Sequence, residues 1–342
     1  MFVPVSGPFG MGEYARSSAI ARAALLRWPN ARVHFVLSRA SPYAGASPFP
    51  ATLLPSSPTF HSAAVVDLIR GWRPHVVVFD NAGRTAQLKA AHQQGARVVY
   101  ISSRRRQRRK AFRLRWMRLI DEHWIAYPKV IAGGLKLLER LKLSLLGGPT
   151  VRYLDVIMAD ASPLPVPVRG LGGGGVLVIP GGGTGHPGAE GATGAFLAAA
   201  HQLAQRGFET IFVGPAGDGP NRPDSTHLRI IGALPQSELV QLMRGARLIV
   251  VNGGSTLLQA IACGAAVVAA PIAGDQRERI RRCARVGAAV EAALDAADMA
   301  LKAKTLLEDE PARLALARRA AGLGLADGVQ VALDALARFM EA

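Results

Sequence analysis

The chain has only two cysteines, Cys263 and Cys283, among 342 residues. Two thiols exclude a disulfide framework and a multi-cysteine zinc site, and they fit reduced side chains in a reducing compartment. Aromatic residues are scarce, at 6%. Acids are scarce in one half: residues 1–170 hold 8 Asp and Glu against 25 Lys and Arg, whereas residues 171–342 hold 16 of each kind. The whole formal charge of +17 therefore lies in the first half. This points to an anionic partner or surface there, and to an uncharged task for the second half. Long apolar runs are missing too. The most apolar stretch, 248–272, is interrupted by Asn252, Gly253, Gly254, Ser255, Gln259, Gly264 and Pro271. It reads as strand, loop, helix and strand, not as the ~20 lipid-facing residues of a membrane span. The opening residues lack a basic segment followed by a long apolar core, so no secretory leader is expected.

Hydrophobic residues, by contrast, make up 49% of the chain. That supplies a sizeable core and excludes wholesale disorder. At roughly 100–200 residues per domain, the length suits two domains. Short β-branched runs are expected as strands at 2–5, 33–37, 76–79, 98–101 and 124–127, and again at 176–179, 210–213, 228–231, 248–251 and 266–270. Helical stretches rich in Ala, Leu and Arg alternate with them, which is the pattern of βαβ units and parallel sheets. Pro163, Pro165, Pro167 and the glycines 172–175 mark a linker. The organisation expected is an N-terminal domain over 1–162, a linker at 163–175, a second domain over 176–325, and a C-terminal helix at 326–342 that can cross back to the first domain.

The loops after strands carry the chemistry in such folds. In the second half, Gly182, Gly183 and Thr184 lie in one Gly-rich loop, and Gly253, Gly254, Ser255 and Thr256 form another that opens a helix. Free amides at a helix N-terminus and the positive end of its dipole make an anion site, and glycine lets phosphate approach the backbone. Downstream, Asp275 and Gln276 either cap a helix or offer hydrogen bonds to sugar hydroxyls. In the first half, Gly10, Gly12 and Arg16 belong to a Gly-rich loop and the helix after it. Glu13 is a candidate general base or a first-turn carboxylate favoured by the helix dipole. Asp80 ends the apolar run 76–79 and is a second candidate base, the group that orients one, or a cap for the next helix.

The stretch from Asn252 to Gln276 resembles the donor-site signature of GT-B glycosyltransferases, family 28, which includes the MurG-type N-acetylglucosaminyltransferases. The resemblance implies an α/β fold of GT-B architecture, two Rossmann-like parallel-sheet domains facing across a cleft. It implies an acceptor in the first domain and a nucleotide-diphosphate sugar in the second, with UDP the nucleotide expected. Carried over by position, Gly253, Gly254, Ser255 and Thr256 sit on the diphosphate, Gln259 at the ribose, and Asp275 and Gln276 at the hexose. No bound metal and no cofactor beyond the donor sugar are implied, and the transfer inverts the anomeric carbon. Three departures stand out. Gln259 replaces the usual Glu, which gives up a charge-assisted bond. Glu13 stands where the family often has His. The Gly-Gly loop is a residue shorter than in many members, like that of the nucleotide-sugar hydrolase of pseudaminic acid synthesis. Hydrolase and non-catalytic binding protein are therefore the alternatives to a transferase.

A basic segment completes the picture. Arg104, Arg105, Arg106, Arg108 and Arg109 open a run of nine Lys and Arg over 104–118 with no acid. Phe112, Trp116, Leu119 and Ile120 share one helical face. An interfacial element docking to anionic lipid or a lipid-linked or saccharide acceptor, a nucleic-acid patch, and a solvated basic surface with Trp116 in the core are the three readings. Nucleic acid is the weakest of them, since no binding motif accompanies the charge. The location expected is cytoplasmic, peripheral on the inner face of the cell membrane.

Overall fold

The computed structural model describes residues 1–8, 11–158, 174–181, 189–214 and 226–340. The chain divides into two compact units, Met1–Ile157 with Ala326–Ala342, and Met158–Leu325. Most of the expected 163–175 linker, the loop residues Gly182, Gly183 and Thr184, and Gly10 lie outside the described residues.

In the first unit strands and helices alternate as β1 (Phe2–Pro4), α1 (Gly12–Arg27), β2 (Phe35–Ser38), β3 (Ala51–Leu54), α2 (Ser62–Trp72), β4 (Val76–Asp80), α3 (Thr85–Gln93) and β5 (Arg97–Ser102). Then come α4 (Arg105–Ala111), α5 (Leu114–Met117), β6 (Glu122–Ile125), α6 (Lys129–Ala132), α7 (Leu137–Leu146) and β7 (Thr150–Tyr153). The seven strands are all parallel, in the order β3-β2-β1-β4-β5-β6-β7. Strands buried on both faces need apolar side chains throughout, and Val77, Val78, Phe79, Val98, Val99, Tyr100 and Ile101 are all buried.

The second unit repeats the plan with β8 (Val176–Ile179), α8 (Ala192–Gln205), β9 (Thr210–Val213), β10 (Leu228–Ile231), α9 (Gln236–Gly245), β11 (Leu248–Asn252) and α10 (Ser255–Ala262). It continues with β12 (Ala266–Ala270), α11 (Gly274–Arg285), β13 (Val290–Glu291), α12 (Ala296–Glu308) and α13 (Glu310–Ala321). Its parallel sheet runs β10-β9-β8-β11-β12-β13. The last helix, α14 (Gly328–Met340), belongs to the first unit, where Ala332, Ala335 and Leu336 join the cluster around Phe35 and Trp124. Its first residue passes so close to the β7 exit that a side-chain carbon on Gly328 would overlap the Leu154 carbonyl.

Strands β3, β7 and β13 carry no alternation strong enough to be read from sequence. Edge strands are short and only half-covered, so they need no continuous apolar run. The helical face drawn through 104–120 is corrected: Phe112 and Arg113 break it into α4 and α5.

One buried base in this core couples stability to pH. His123 on β6 is fully buried and shares a hydrogen bond with the Ser102 hydroxyl, 2.8 Å away. Burial, and then the charge of Arg108, pull its imidazole down to about 3. Between pH 6.5 and that value the unfolded chain binds a proton that the folded chain refuses. The stabilisation is thus complete above the ordinary pKa and is lost as pH falls, at up to about 1.4 kcal/mol per pH unit. Urea midpoints measured from pH 7.5 to 4.5 should fall with acid, and His123→Gln should flatten that slope by most of this amount. An unchanged slope would mean that His123 does not titrate as its burial dictates.

Candidate functional site

In both sheets the strand order reverses beside the first strand, between β1 and β4 and between β8 and β11. The loops leaving those strands part at the carboxyl edge, where ligands of doubly wound sheets bind.

In the first unit the edge is organised by a buried ion pair. Asp80, at the end of β4, has no solvent exposure and faces Arg16, one turn into α1. The guanidinium donates from Nε to Oδ2 at 2.9 Å and from Nη2 to Oδ1 at 2.7 Å, and the Ser17 hydroxyl adds a longer contact of 3.4 Å to Oδ2. Burial pushes the Asp80 carboxyl up to about 6, against the pull of Arg16. With both oxygens on a guanidinium, Asp80 is poorly placed to take a proton from a substrate. Arg16, expected in the acceptor-side loop and helix, is buried and spends its guanidinium on Asp80.

Glu13 lies in the first turn of α1, half-buried. Its Oε1 accepts from the Asn81 amide at 2.8 Å. Asn81 follows Asp80 in the left-handed region, at φ 52°. Asn tolerates that region better than other residues with a side chain. The same amide donates to the Ser103 hydroxyl, and its carbonyl accepts from the Ser103 amide at 2.9 Å. Asn81 thereby ties together the loops after β1, β4 and β5. Sequence reasoning passed over it, although an Asn directly after a strand-end Asp was the available signal. Gly12, the first residue of α1, has open space where a side chain would be.

The second-unit edge is built around the turn from β11 to α10. Asn252 donates to the Pro180 carbonyl at 2.6 Å, which links the ends of β11 and β8, and accepts from the Gly254 amide at 2.8 Å. Gln276, near the start of α11, uses its carbonyl oxygen twice, accepting from the amides of Gly253 at 3.1 Å and Ile272 at 3.0 Å. Arg279, one turn further on, donates to the Gly253 carbonyl and pairs with Asp275 at 3.4 Å. This packing explains the glycine: a side-chain carbon on Gly253 would come within 2.8 Å of Gln276 and Ile280.

The amides of Gly253 and Gly254 are therefore taken inside the loop. What they leave to an anion is room, while the first turn of α10, beginning at Ser255 and Thr256, gets no side-chain cap from Gly254. Ser255 is exposed and Thr256 half-buried. Gln259 is buried one turn along, and Asp275 is exposed. Asn252 and Arg279 were not among the expected site residues; their position at a strand end and at helical spacing from Asp275 was the signal. Burial pushes both thiols up to about 11, away from the thiolate form.

The basic segment needs a correction. Trp116 is buried, set edge-on against Tyr100 at 5.2 Å and donating to the Thr85 hydroxyl at 3.0 Å. Phe112 and Ile120 are buried as well. The apolar face thus faces the core, as in the reading of a solvated basic surface with Trp116 in the core, and is not the interfacial face. Arg108 is also buried, with bonds to the carbonyls of Ala132, Gly133 and Gly134 and an ion pair to Glu139 at 2.6 Å. Arg104, Arg105, Arg106 and Arg109 stay exposed.

Two parallel Rossmann-type sheets, each with a polar cluster at its order reversal, are the GT-B fold. Solved structures agree on it. MurG of Acinetobacter baumannii superposes with a TM-score of 0.64 at 16% identity, covering 99% of both chains. The spinosyn rhamnosyltransferase SpnG, complexed with thymidine diphosphate, gives 0.66 at 16% identity over 100% of both. SnogD of Streptomyces nogalater, a glycosyltransferase, gives 0.66 at 17% over 99% of both. Residues 221–322 match the family model described as Glycosyl transferases group 1. That segment holds Asn252, Gly253, Gly254, Asp275, Gln276 and Arg279. No curated protein matches the chain in sequence.

Two mutational outcomes follow from this geometry. Arg16→Ala strands a buried carboxylate and should cost about 3–5 kcal/mol of stability in urea unfolding. Glu13→Gln, at a half-buried position, should stay within about 0.5 kcal/mol. Equal effects would mean that Arg16 and Asp80 do not carry the edge. In the second unit, Gly253→Ala should weaken nucleoside-diphosphate binding at least about tenfold by calorimetry with the first unit still folded. Unchanged affinity would sink the loop assignment.

Proposed function

We propose that the protein is a glycosyltransferase that moves a hexose or N-acetylhexosamine from a nucleoside-diphosphate sugar, UDP in the first instance, to a lipid-linked or saccharide acceptor. One observation carries the reading: the β11–α10 turn, held by Asn252, Gln276 and Arg279 within the segment that matches the glycosyltransferase family, starts α10 at a glycine N-cap, which has no side chain to cap the first turn. A pre-set helix N-terminus with a guanidinium behind it suits a departing diphosphate. The solved complex of SpnG with thymidine diphosphate supports the same ligand class. A MurG-like, family 28 affiliation is part of this reading.

The reaction is a single displacement. The acceptor oxygen forms its bond to the anomeric carbon as the carbon–phosphate-oxygen bond breaks, with inversion. Glu13 takes the acceptor proton, and Asn81 fixes the carboxylate by one oxygen. Asp80 and Arg16 hold the helix that carries Glu13. The leaving diphosphate keeps the bonding electrons, and the α10 dipole, Ser255, Thr256 and Arg279 stabilise its charge. No metal or further cofactor enters this scheme. Gln259 contributes a neutral amide to the ribose and the exposed Asp275 faces the sugar, while Gln276, expected there too, is buried and holds the Gly253 and Ile272 amides instead. The strong positive charge of the first half supports an anionic acceptor or surface, and with it work in the cytoplasm at the inner membrane face.

Calorimetric titration with UDP, dTDP, GDP and CMP tests the donor site, with micromolar affinity expected for one diphosphate. Binding by none of them would overturn the reading. Glu13→Ala should lower turnover at least about tenfold while leaving that affinity intact. Rapid release of free sugar from the donor without an acceptor would reassign the protein as a nucleotide-sugar hydrolase.

A further inference from the structure

Helix α7 is built inside out. Its inward side carries Glu139, which accepts from Arg108 at 2.6 Å and from the Lys136 amide at 2.9 Å, and Lys142, which donates to the Phe112 carbonyl at 3.1 Å. Its outward side carries Leu137, Leu141 and Leu145, spaced i, i+4 and i+8, with Leu138 beside them. Leu137 is 80% exposed and Leu145 71%. Charged groups anchor this helix and leucines face water, the reverse of what the hydrophobic effect selects for a surface helix of a globular domain. The anchors hold α7 against α4 and the turn into α5. There Arg104, Arg105, Arg106, Arg109, Arg113 and Arg115 are exposed with Leu114, and among the described residues none of these arginines is seen in an ion pair. The crowding registers on Lys110, whose ammonium is held below its ordinary value by burial and by Arg84, Arg106 and Arg113.

We infer that the leucine face of α7 is a membrane-docking element, inserted at the interface of an anionic bilayer while the arginines of α4 and α5 engage lipid headgroups. The inference rests on the membrane-surface reading above and is independent of the transfer chemistry. Leucines in one stripe beside unpaired cations are the composition of an interfacial helix, and anionic headgroups supply the countercharge. A second copy of the chain suits the face poorly. A symmetric pair would bring two arginine clusters together, and like charges across an interface are unfavourable. One ten-residue helix is about 15 Å long and offers far less than the ~800 Å² per partner of a standard interface. Nucleic acid would satisfy the arginines but leave the leucines in water. Among the described residues no helix is long and apolar enough to cross a membrane, so the contact is with the surface.

The full-length protein, wild type and L137Q/L141Q/L145Q, is sedimented with vesicles of phosphatidylcholine alone or with phosphatidylglycerol. The wild type should bind the anionic vesicles and not the neutral ones, and the triple variant should bind at least about tenfold more weakly with its melting temperature unchanged. Wild-type protein that ignores anionic vesicles overturns both this inference and the membrane-surface reading. Vesicle binding that survives the triple substitution overturns the role of α7 alone. Sedimentation velocity closes the remaining route: a wild-type dimer that the triple variant dissolves, with vesicle binding kept, would assign the face to a second copy. Nucleoside-diphosphate affinity, measured on the same variant, should not move. Its loss would mean that the substitutions disturb the fold, and Leu141→Gln alone then has to reproduce the loss of vesicle binding, or the inference fails.

Discussion

The order reversal of each parallel sheet is the constraint on which the rest depends. Where β1 and β4, or β8 and β11, lie side by side, their following loops run to opposite faces and open a gap at the carboxyl edge. The gap is lined by backbone ends that no helix or strand satisfies, so it must be filled by side chains or by a ligand. In the first unit Asp80, Asn81, Arg16 and Glu13 fill it. In the second, Asn252, Gln276 and Arg279 hold the backbone, and the start of α10 is left over.

The two edges solve the problem with different chemistry. The first buries charge. A guanidinium and a carboxylate removed from water stay stable only through their two parallel hydrogen bonds, so α1 is locked at a fixed height over β4. Glu13, three residues before Arg16, inherits that position. The second edge buries neutral amides instead, with one guanidinium closing on a carbonyl. An anion site gains from this, because a carboxylate inside the loop would repel a diphosphate, whereas Asn and Gln fix the loop without adding negative charge.

Charge follows the same division of labour. The first half carries the full positive excess. Part of it is structural, as with Arg16 and Arg108, which are buried and bonded. Part of the exposed remainder gathers on α4 and α5, beside the leucine face of α7. Counting arginines could not separate the two populations, since burial depends on which acid and which carbonyls arrive from elsewhere in the chain.

The alternation of short apolar strands with helices, the two-fold repetition of that pattern, and the Gly-Gly turn opening α10 are written in the sequence by themselves. They are local: strand period, helix period and the steric need for glycine act over a few residues. The candidate residues Glu13, Asp80, Gly253 and Gln276 were legible for the same reason, as each stands at an element boundary. What only the tertiary structure decided is what each side chain meets. It gave Arg16 to Asp80, Asn81 to Glu13 and Gln276 to the Gly253 amide, across 64, 68 and 23 residues of chain. It turned Trp116 inward and the leucines of α7 outward. Amphipathic spacing says that a helix has two faces. Which face is covered is set by the packing of the whole unit, and no local pattern contains that information.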